Sequence, residues 1–237
     1  MNLRYRKVGH QGEYVNKQIN IDLRQKFALD ILRLLKFGKT IINFDESIIS
    51  GTCSKSYSWE RKGRTQSRVL KRSTSGISIL LAVSSDGIRF FQFMDGINNQ
   101  DSIQAFFLGL VTNLDRVRPQ WRETHFILLD NMSSHKTSQT LALFEKLRMP
   151  YMFSAPASYK SIPVESVFMH LKLTDFRIRT LPTNVLIKGM RHDQLTKKQN
   201  LLAQMSDYLL NISDERMKQI FHDRLRNLGS FLALERV

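Results

Sequence analysis

Apolar residues along this chain recur with two different periods, and the places where the period switches mark its elements. Ile21, Phe27, Ala28, Ile31, Leu32 and Leu35 fall at helical spacing, with Lys26, Arg33 and Lys36 on other faces. Asn20 is the expected N-cap of this helix, Asp22 suits its first turn, and Gly38 ends it. TIINFDES (40–47) then reads as a short buried strand ending at Asp45 and Glu46. In GISILLAVSSDGIRFFQFMDG, two apolar strands at 76–84 and 88–94 flank the turn SSDG, a hairpin signal. Phe90, Phe91 and Phe93 in the second of these are expected in the core. Helical periodicity returns over 101–114 through Ile103, Phe106, Phe107, Leu110 and Leu114. The remaining pattern predicts a strand at 124–130, a helix at 136–147, a strand at 149–155 and a helix at 164–176. A helical tail follows over 193–237, with apolar Leu201, Leu202, Met205, Leu209 and Leu210.

Three consecutive antiparallel strands followed by alternating helices and strands specify a mixed α/β sheet. Two stretches fall outside this alternation. Residues 1–19 are polar and basic, an arm or linker. Residues 50–75 carry seven basic side chains against one acid, Glu60, and Tyr57 and Trp59 alternate with serines. That pattern predicts a short β-ribbon with an exposed tip at Lys62 and Gly63. The expected organisation is a basic arm and helix (1–39), an α/β domain (40–180) and a helical tail (181–237), with no internal repeat.

Composition narrows the class. With 42% apolar and 24% charged residues over 237 positions, the chain is of globular type and long enough to bury a sizeable core. No run approaches the length of a membrane span, and MNLRYRKVGHQ lacks the apolar centre of a secretory signal. Cys53 is the only cysteine, which excludes an intramolecular disulfide and a cysteine-based zinc site and makes a reducing interior the default. The net charge of +15 is unevenly spread: residues 1–72 hold 16 basic and 6 acidic side chains, residues 73–180 hold 11 and 9. Such a basic N-terminal third fits a polyanion-binding face, nucleic acid before anionic lipid; a merely solvated basic surface is the alternative.

Against that charge, three acids stand out by position. Asp45 follows IINF, Asp130 follows FILL, and Glu165 opens a helix after YMF and the loop SAPASYKSIP. In an open α/β sheet the strand ends and the loops beyond them are where ligands are held. Strands of one sheet can bring such acids together although they are far apart in the chain. Oxygen-only acidic clusters suit Mg²⁺ or Mn²⁺, and a pair of such ions can serve phosphodiester chemistry. Singly, each acid reads as well as a cap or turn residue.

FDES, then LLDNMSSHK, then PVE at the start of a helix together resemble the catalytic domain of the mariner-like DDE transposases, over roughly residues 20–180. Asp130 and Glu165 are 35 positions apart, leaving 34 residues between them, a spacing that matches one subgroup. The hairpin with SSDG and the basic ribbon after the first acid match as well. The resemblance implies a ribonuclease-H-like fold and metal-dependent DNA strand cleavage followed by strand transfer. It further implies that Asp45, Asp130 and Glu165 hold two Mg²⁺ or Mn²⁺ ions. As partners it implies transposon-end and target DNA, and a homodimer. For a DNA-acting enzyme the expected compartment is the nucleus, or the nucleoid or cytoplasm of a prokaryote, with no membrane association.

The sequence also departs from the family pattern. The third motif usually reads close to SPDLNPIE with a Trp two residues on; here it is APASYKSIPVESVF, keeping Pro163 and Glu165 alone. N-terminal helix-turn-helix DNA readers have no room before Asn20, so a catalytic core that borrows its DNA specificity from a separate subunit or a missing region is expected. Two other readings stay open: a silent DNA-binding or assembly protein that keeps the fold, and a structure-specific nuclease without strand transfer. Among neighbouring residues, Glu46 is expected to face away from Asp45, and Asn131 to shape the turn and orient Asp130. His135 either meets the scissile phosphate or a water, or is structural. Arg61, Lys62, Arg64, Arg68, Lys71 and Arg72 of the ribbon, with Lys160, are the expected phosphate contacts.

Overall fold

A computed structural model describes residues 13–49, 77–96, 98–173 and 190–234. A 3-10 turn (Glu13–Asn16) leads into α1 (Gln18–Lys36), β1 (Thr40–Ile49), β2 (Ile77–Ser84), β3 (Arg89–Asp95), α2 (Gln100–Val117), α3 (Trp121–Thr124) and β4 (His125–Leu129). A second 3-10 turn (Ser133–Lys136) precedes α4 (Ser138–Lys146) and β5 (Tyr151–Phe153), and a third (Tyr159–Ser161) precedes α5 (Pro163–Leu173). The chain closes with α6 (Met190–Asn211), α7 (Asp214–Leu225) and α8 (Leu228–Leu232). The basic ribbon with its six cationic residues, Tyr57, Trp59 and Cys53 lies outside the described residues, as does the arm up to residue 12.

The strands form one sheet in the order β3-β2-β1-β4-β5. The pairs β1–β2 and β2–β3 are antiparallel, while β1–β4 and β4–β5 are parallel. The expected mixed α/β architecture is therefore present. β1 occupies the middle of the sheet, and its alternating side chains feed two cores. Ile41 and Ile49 join residues of α1, α5, α6, α7 and α8 on one face. Ile42 and Phe44 join residues of α2 and α4 on the other. Met217, Ile220 and Phe221 of α7 and Phe231 of α8 belong to the same core as Ile41, so the end of the chain is part of the packing beneath the sheet.

Several boundaries move relative to the sequence pattern. α1 starts at Gln18 with Lys17 in the cap position, so Asn20 lies inside the first turn. Gly38 does end it, at φ +74, a conformation glycine adopts without the clash of a Cβ. β1 runs past Asp45 to Ile49, because its ladder with β2 continues to Ile49↔Ile77; Asp45 and Glu46 therefore sit within the strand. The helix expected from Lys136 is split. Thr137 is extended (φ −65, ψ 148) and caps α4 by accepting from the Thr140 N–H at 3.2 Å. Phe90, Phe91 and Phe93 pack against the cores as expected, Phe90 on one face and Phe91 and Phe93 on the other, but stay half-buried, β3 being the edge strand among the described residues. Among the described residues no helix is long and apolar enough to cross a membrane.

A polar cluster locks the hairpin turn to the start of β4. Asp86 of SSDG lies 2.9 Å from Nε2 of buried His125 and is also reached by Ser84 and Arg118, whose Nη2 donates to the Asp86 carbonyl at 2.9 Å. Burial alone would raise the Asp86 carboxyl, but the His125 and Ser84 hydrogen bonds and the Arg118 charge outweigh it and hold it well below the usual carboxylate range. A group depressed in the folded state stabilises above its ordinary pKa, and that stability is lost as pH falls towards the folded value. The melting temperature is accordingly expected to drop as pH falls below about 4, and Asp86→Asn to remove part of that dependence. At neutral pH the same variant is expected to lose about 1–3 kcal/mol, because it weakens the pairing of a buried imidazole. Thermal denaturation of both proteins across pH measures both effects.

Candidate active site

The site is built where β1 and β4 part. Their parallel ladder runs from Thr40↔His125 to Asn43↔Leu128. Two residues beyond that last pair stand Asp45 on β1 and Asp130 just after β4. Asp45 is 8% exposed, held by the apolar residues that fill the strand around it. One of its oxygens accepts from the Glu46 N–H at 2.8 Å. Burial raises the Asp45 carboxyl to about 7; Asp130, Glu165 and Glu46 add to the rise by repulsion, against that one backbone hydrogen bond. Glu165 is brought near the same part of β1 by Val164, whose N–H donates to Asn43, two residues before Asp45.

Asp130 is held from below by His135, which is fully buried. His135 Nδ1 lies 2.7 Å from Asp130 Oδ1, a close ion contact whose line is poor for a hydrogen bond. Its Nε2 sits 2.6 Å from Glu46 Oε1, in hydrogen-bond geometry. The ring edge-packs on Phe44 at 5.5 Å between centroids. Burial would push the imidazole down, but the Asp130 and Glu46 carboxylates outweigh it and raise it to about 9, so the ring is cationic at neutral pH. Asp130 Oδ1 also accepts from the Met132 N–H at 3.1 Å, which fixes the turn after β4. Asn131 does not orient Asp130 by a hydrogen bond: its side chain is exposed and accepts from Lys136.

Glu46 turns to the opposite face of the sheet from Asp45, as strand alternation requires. There it engages His135 and accepts from Asn98 Nδ2 at 3.4 Å. Glu165 lies in the first turn of α5 and is exposed, between buried Val164 and Ser166. Val167, two residues after Glu165, is fully buried in the core. The loop before α5 is clasped from the chain's far end: Asn227 Nδ2 donates to the Lys160 carbonyl at 2.7 Å and Arg224 reaches both that carbonyl and Ser166. Lys160 itself points into solvent.

The structure thus brings Asp45, Asp130, Glu165 and His135 to one end of the sheet. Arg61, Lys62, Arg64, Arg68, Lys71 and Arg72 lie outside the described residues. Two participants were not singled out by sequence: Glu46 as the partner of His135, and Asn43, whose fully buried amide bonds both Leu128 and Val164. The signal for Asn43 was present, since an amide inside the apolar run TIINF needs partners that only another element can supply.

Among the described residues no three His, Cys, Asp or Glu side chains form a ready-made metal cage. The donor set nevertheless fits a hard divalent cation. It is oxygen-only apart from His135, it includes a buried carboxylate, and among the described residues no Lys or Arg ion-pairs with Asp45, Asp130 or Glu165. Acids that repel one another without a counter-charge splay apart, and a cation is what draws such a set together.

A central parallel pair flanked by an antiparallel hairpin, with acids beyond the paired strand ends, is the ribonuclease-H-like arrangement. Residues 40–183 match the family model described as DDE superfamily endonuclease. The chain belongs to that family. No curated protein sequence matches it. Among solved structures, the Mos1 mariner paired-end complex with Mn has a TM-score of 0.74 at 15% identity, covering 100% of this chain and 67% of that one. The Mos1 strand transfer complex gives 0.73 at 16%, covering 99% and 67%. The catalytic domain of Mos1 mariner transposase gives 0.64 at 14%, covering 96% and 97%. At these identities the likeness shows the fold, which is the one the motifs implied.

Because Glu46 and His135 bury a charged contact, their effects on stability should not add. A cycle of Glu46→Ala, His135→Ala and the double variant, read by urea unfolding at neutral pH, is expected to give a coupling of about 1–3 kcal/mol.

Proposed function

We propose that this chain is the catalytic part of a DDE transposase or related recombinase, cutting DNA strands and joining the freed 3′-hydroxyl to a target phosphodiester. One observation carries the reading. A buried carboxylate, Asp45, stands across the β1–β4 pair from Asp130 and near the start of the helix that carries Glu165, and among the described residues no Lys or Arg ion-pairs with any of the three. Asp45, Asp130 and Glu165 are the residues that would hold Mg²⁺ or Mn²⁺, two ions in this proposal. Such ions supply activation of the attacking oxygen and charge stabilisation at the leaving oxygen. The Mn in the Mos1 paired-end complex supports a divalent metal here as well.

The chain's own residues do the rest. His135, buried and cationic between Glu46 and Asp130, holds the Asp130 carboxylate on the side away from substrate. Its burial favours this orienting role over direct contact with the scissile phosphate. Lys160, exposed beside Glu165, and the cations at 61, 62, 64, 68, 71 and 72 supply phosphate contacts that are blind to sequence. Partner choice follows from the same chemistry: transposon-end and target DNA, a second copy of the chain, and a DNA reader either on another subunit or in a further region. A compartment that holds DNA, the nucleus or a prokaryotic nucleoid, is the proposed location.

Labelled duplex DNA incubated with the protein and Mg²⁺ or Mn²⁺ tests the reading. Asp45→Asn or Asp130→Asn is expected to reduce nicking by about 10³-fold or more, the loss of several kcal/mol of transition-state stabilisation. Both variants should bind DNA with a salt dependence close to that of wild type, since that term comes from Lys and Arg. Nicking that survives these substitutions, or that is absent from wild type with either metal, overturns the proposal. Nicking without joined products would favour a nuclease over a transposase.

A further inference from the structure

One side chain touches all three acid-bearing elements at the points where the acids leave them. Asn43 is fully buried on β1, two residues before Asp45. Its Nδ2 donates to the Leu128 carbonyl at 3.2 Å, two residues before Asp130. Its Oδ1 accepts from the Val164 N–H at 2.8 Å, one residue before Glu165. The two partners fix the amide's orientation, since a carbonyl can only accept and an N–H can only donate.

Each bond falls at the end of a regular element. Asn43↔Leu128 is the last pair of the β1–β4 ladder, so the side chain ties the two strands together at the rung after which they diverge. The Val164 N–H belongs to the first turn of α5, one of the helix donors that lack an intrahelical acceptor. Pro163 before it contributes no N–H, so a side chain from another element serves as the cap. A buried amide so placed has little freedom, because losing either bond strands a polar group away from water.

We infer that Asn43 is a positioning residue that fixes the spacing of Asp45, Asp130 and Glu165, and so sets the affinity of the acid cluster for a divalent cation. This inference rests on the metal-site reading above. Asn43 does not face the cation itself; it acts by joining the elements that carry the three carboxylates. Asp130 otherwise has only a two-residue tether beyond the β1–β4 ladder, Asp45 lies where β1 is paired with β2 and no longer with β4, and Glu165 stands on a helix outside the sheet. A loosened tether lets mutually repelling carboxylates spread, and the cation must then supply the work of gathering them.

The test is Mn²⁺ binding to the full chain without DNA, read as free Mn²⁺ by electron paramagnetic resonance, well below the melting temperature of every variant. Four proteins are compared: wild type, Asp45→Asn, Asn43→Leu and Leu114→Ala. Leu keeps the branched heavy-atom skeleton of Asn43 and removes both bonds; Leu114 is fully buried in the opposite core and reports general loosening. The expected result is binding by wild type, loss in Asp45→Asn, no change in Leu114→Ala, and an affinity reduced about tenfold or more in Asn43→Leu, the range seen when residues that orient metal ligands are removed. An Asn43→Leu affinity within about twofold of wild type, with binding still dependent on Asp45, overturns the inference and leaves the metal site standing. Equal weakening in Leu114→Ala overturns it too. Wild-type binding that does not depend on Asp45 removes the metal site and this inference together. Should Asn43→Leu fail to fold, Asn43→Ser, whose shorter hydroxyl cannot span both partners, is judged by the same outcomes.

Discussion

A carboxylate buried among other carboxylates is the constraint around which the rest of this molecule is arranged. Asp45 is inside a strand, 8% exposed, with Asp130, Glu165 and Glu46 all adding to the cost of its charge. Left to itself that charge would be relieved by protonation or by movement towards water. Movement is closed off because β1 is the middle strand, hydrogen-bonded to β2 through Ile49 and anchored above and below by Ile41, Ile42 and Phe44. The hydrophobic packing of two layers is what holds the acid in an unfavourable place. The resulting repulsion is the ground on which the proposed cation site rests.

The second face of the sheet carries a matching arrangement. Glu46, one residue further along β1, points to the α2 side and meets His135. The imidazole in turn touches Asp130, so a positive group is inserted between two of the four acids, while among the described residues the other two, Asp45 and Glu165, have no ion-pair partner. The division is useful. A fully neutralised cluster would have no reason to bind metal, and a fully uncompensated one would be too repulsive to fold. Because His135 is enclosed, with Phe44 against its ring, its charge is spent on holding Asp130 rather than offered to substrate.

Most of the sheet and the positions of the three acids were legible in the sequence because they rest on local signals. SSDG has a hairpin's turn chemistry, FILL is too short for a helix, and PVE places an acid just after a helix-initiating proline. What was not legible depends on partners distant in the chain. Nothing in TIINFDES says that pairing with Ile77 carries β1 past Asp45, since that is a property of β2. Nor does LLDNMSSHK reveal that His135 faces Glu46 across 89 positions. The Phe90, Phe91 and Phe93 run does pack against the cores, but its sequence could not show that it would stay half-buried on an edge strand. Asn43 shows the same limit from the other side: its oddity in an apolar run was visible, its two partners were not.

The altered third motif becomes intelligible in terms of what else holds α5. Val167, two residues after the acid, is fully buried in the core that α1 and α5–α8 share. Three further sets of contacts fix the helix. Asn43 meets the Val164 N–H at the helix start. Arg224 of α7 bonds Ser166, and Asn227 holds the Lys160 carbonyl in the preceding loop. Phe221 and Phe231 pack from α7 and α8 into the core on which α5 lies. The end of the chain therefore bears on catalytic geometry without contributing a catalytic group. Glu165 keeps its place through the floor beneath it, although the Asp-Leu-Asn and Trp that accompany the acid in the family pattern are gone.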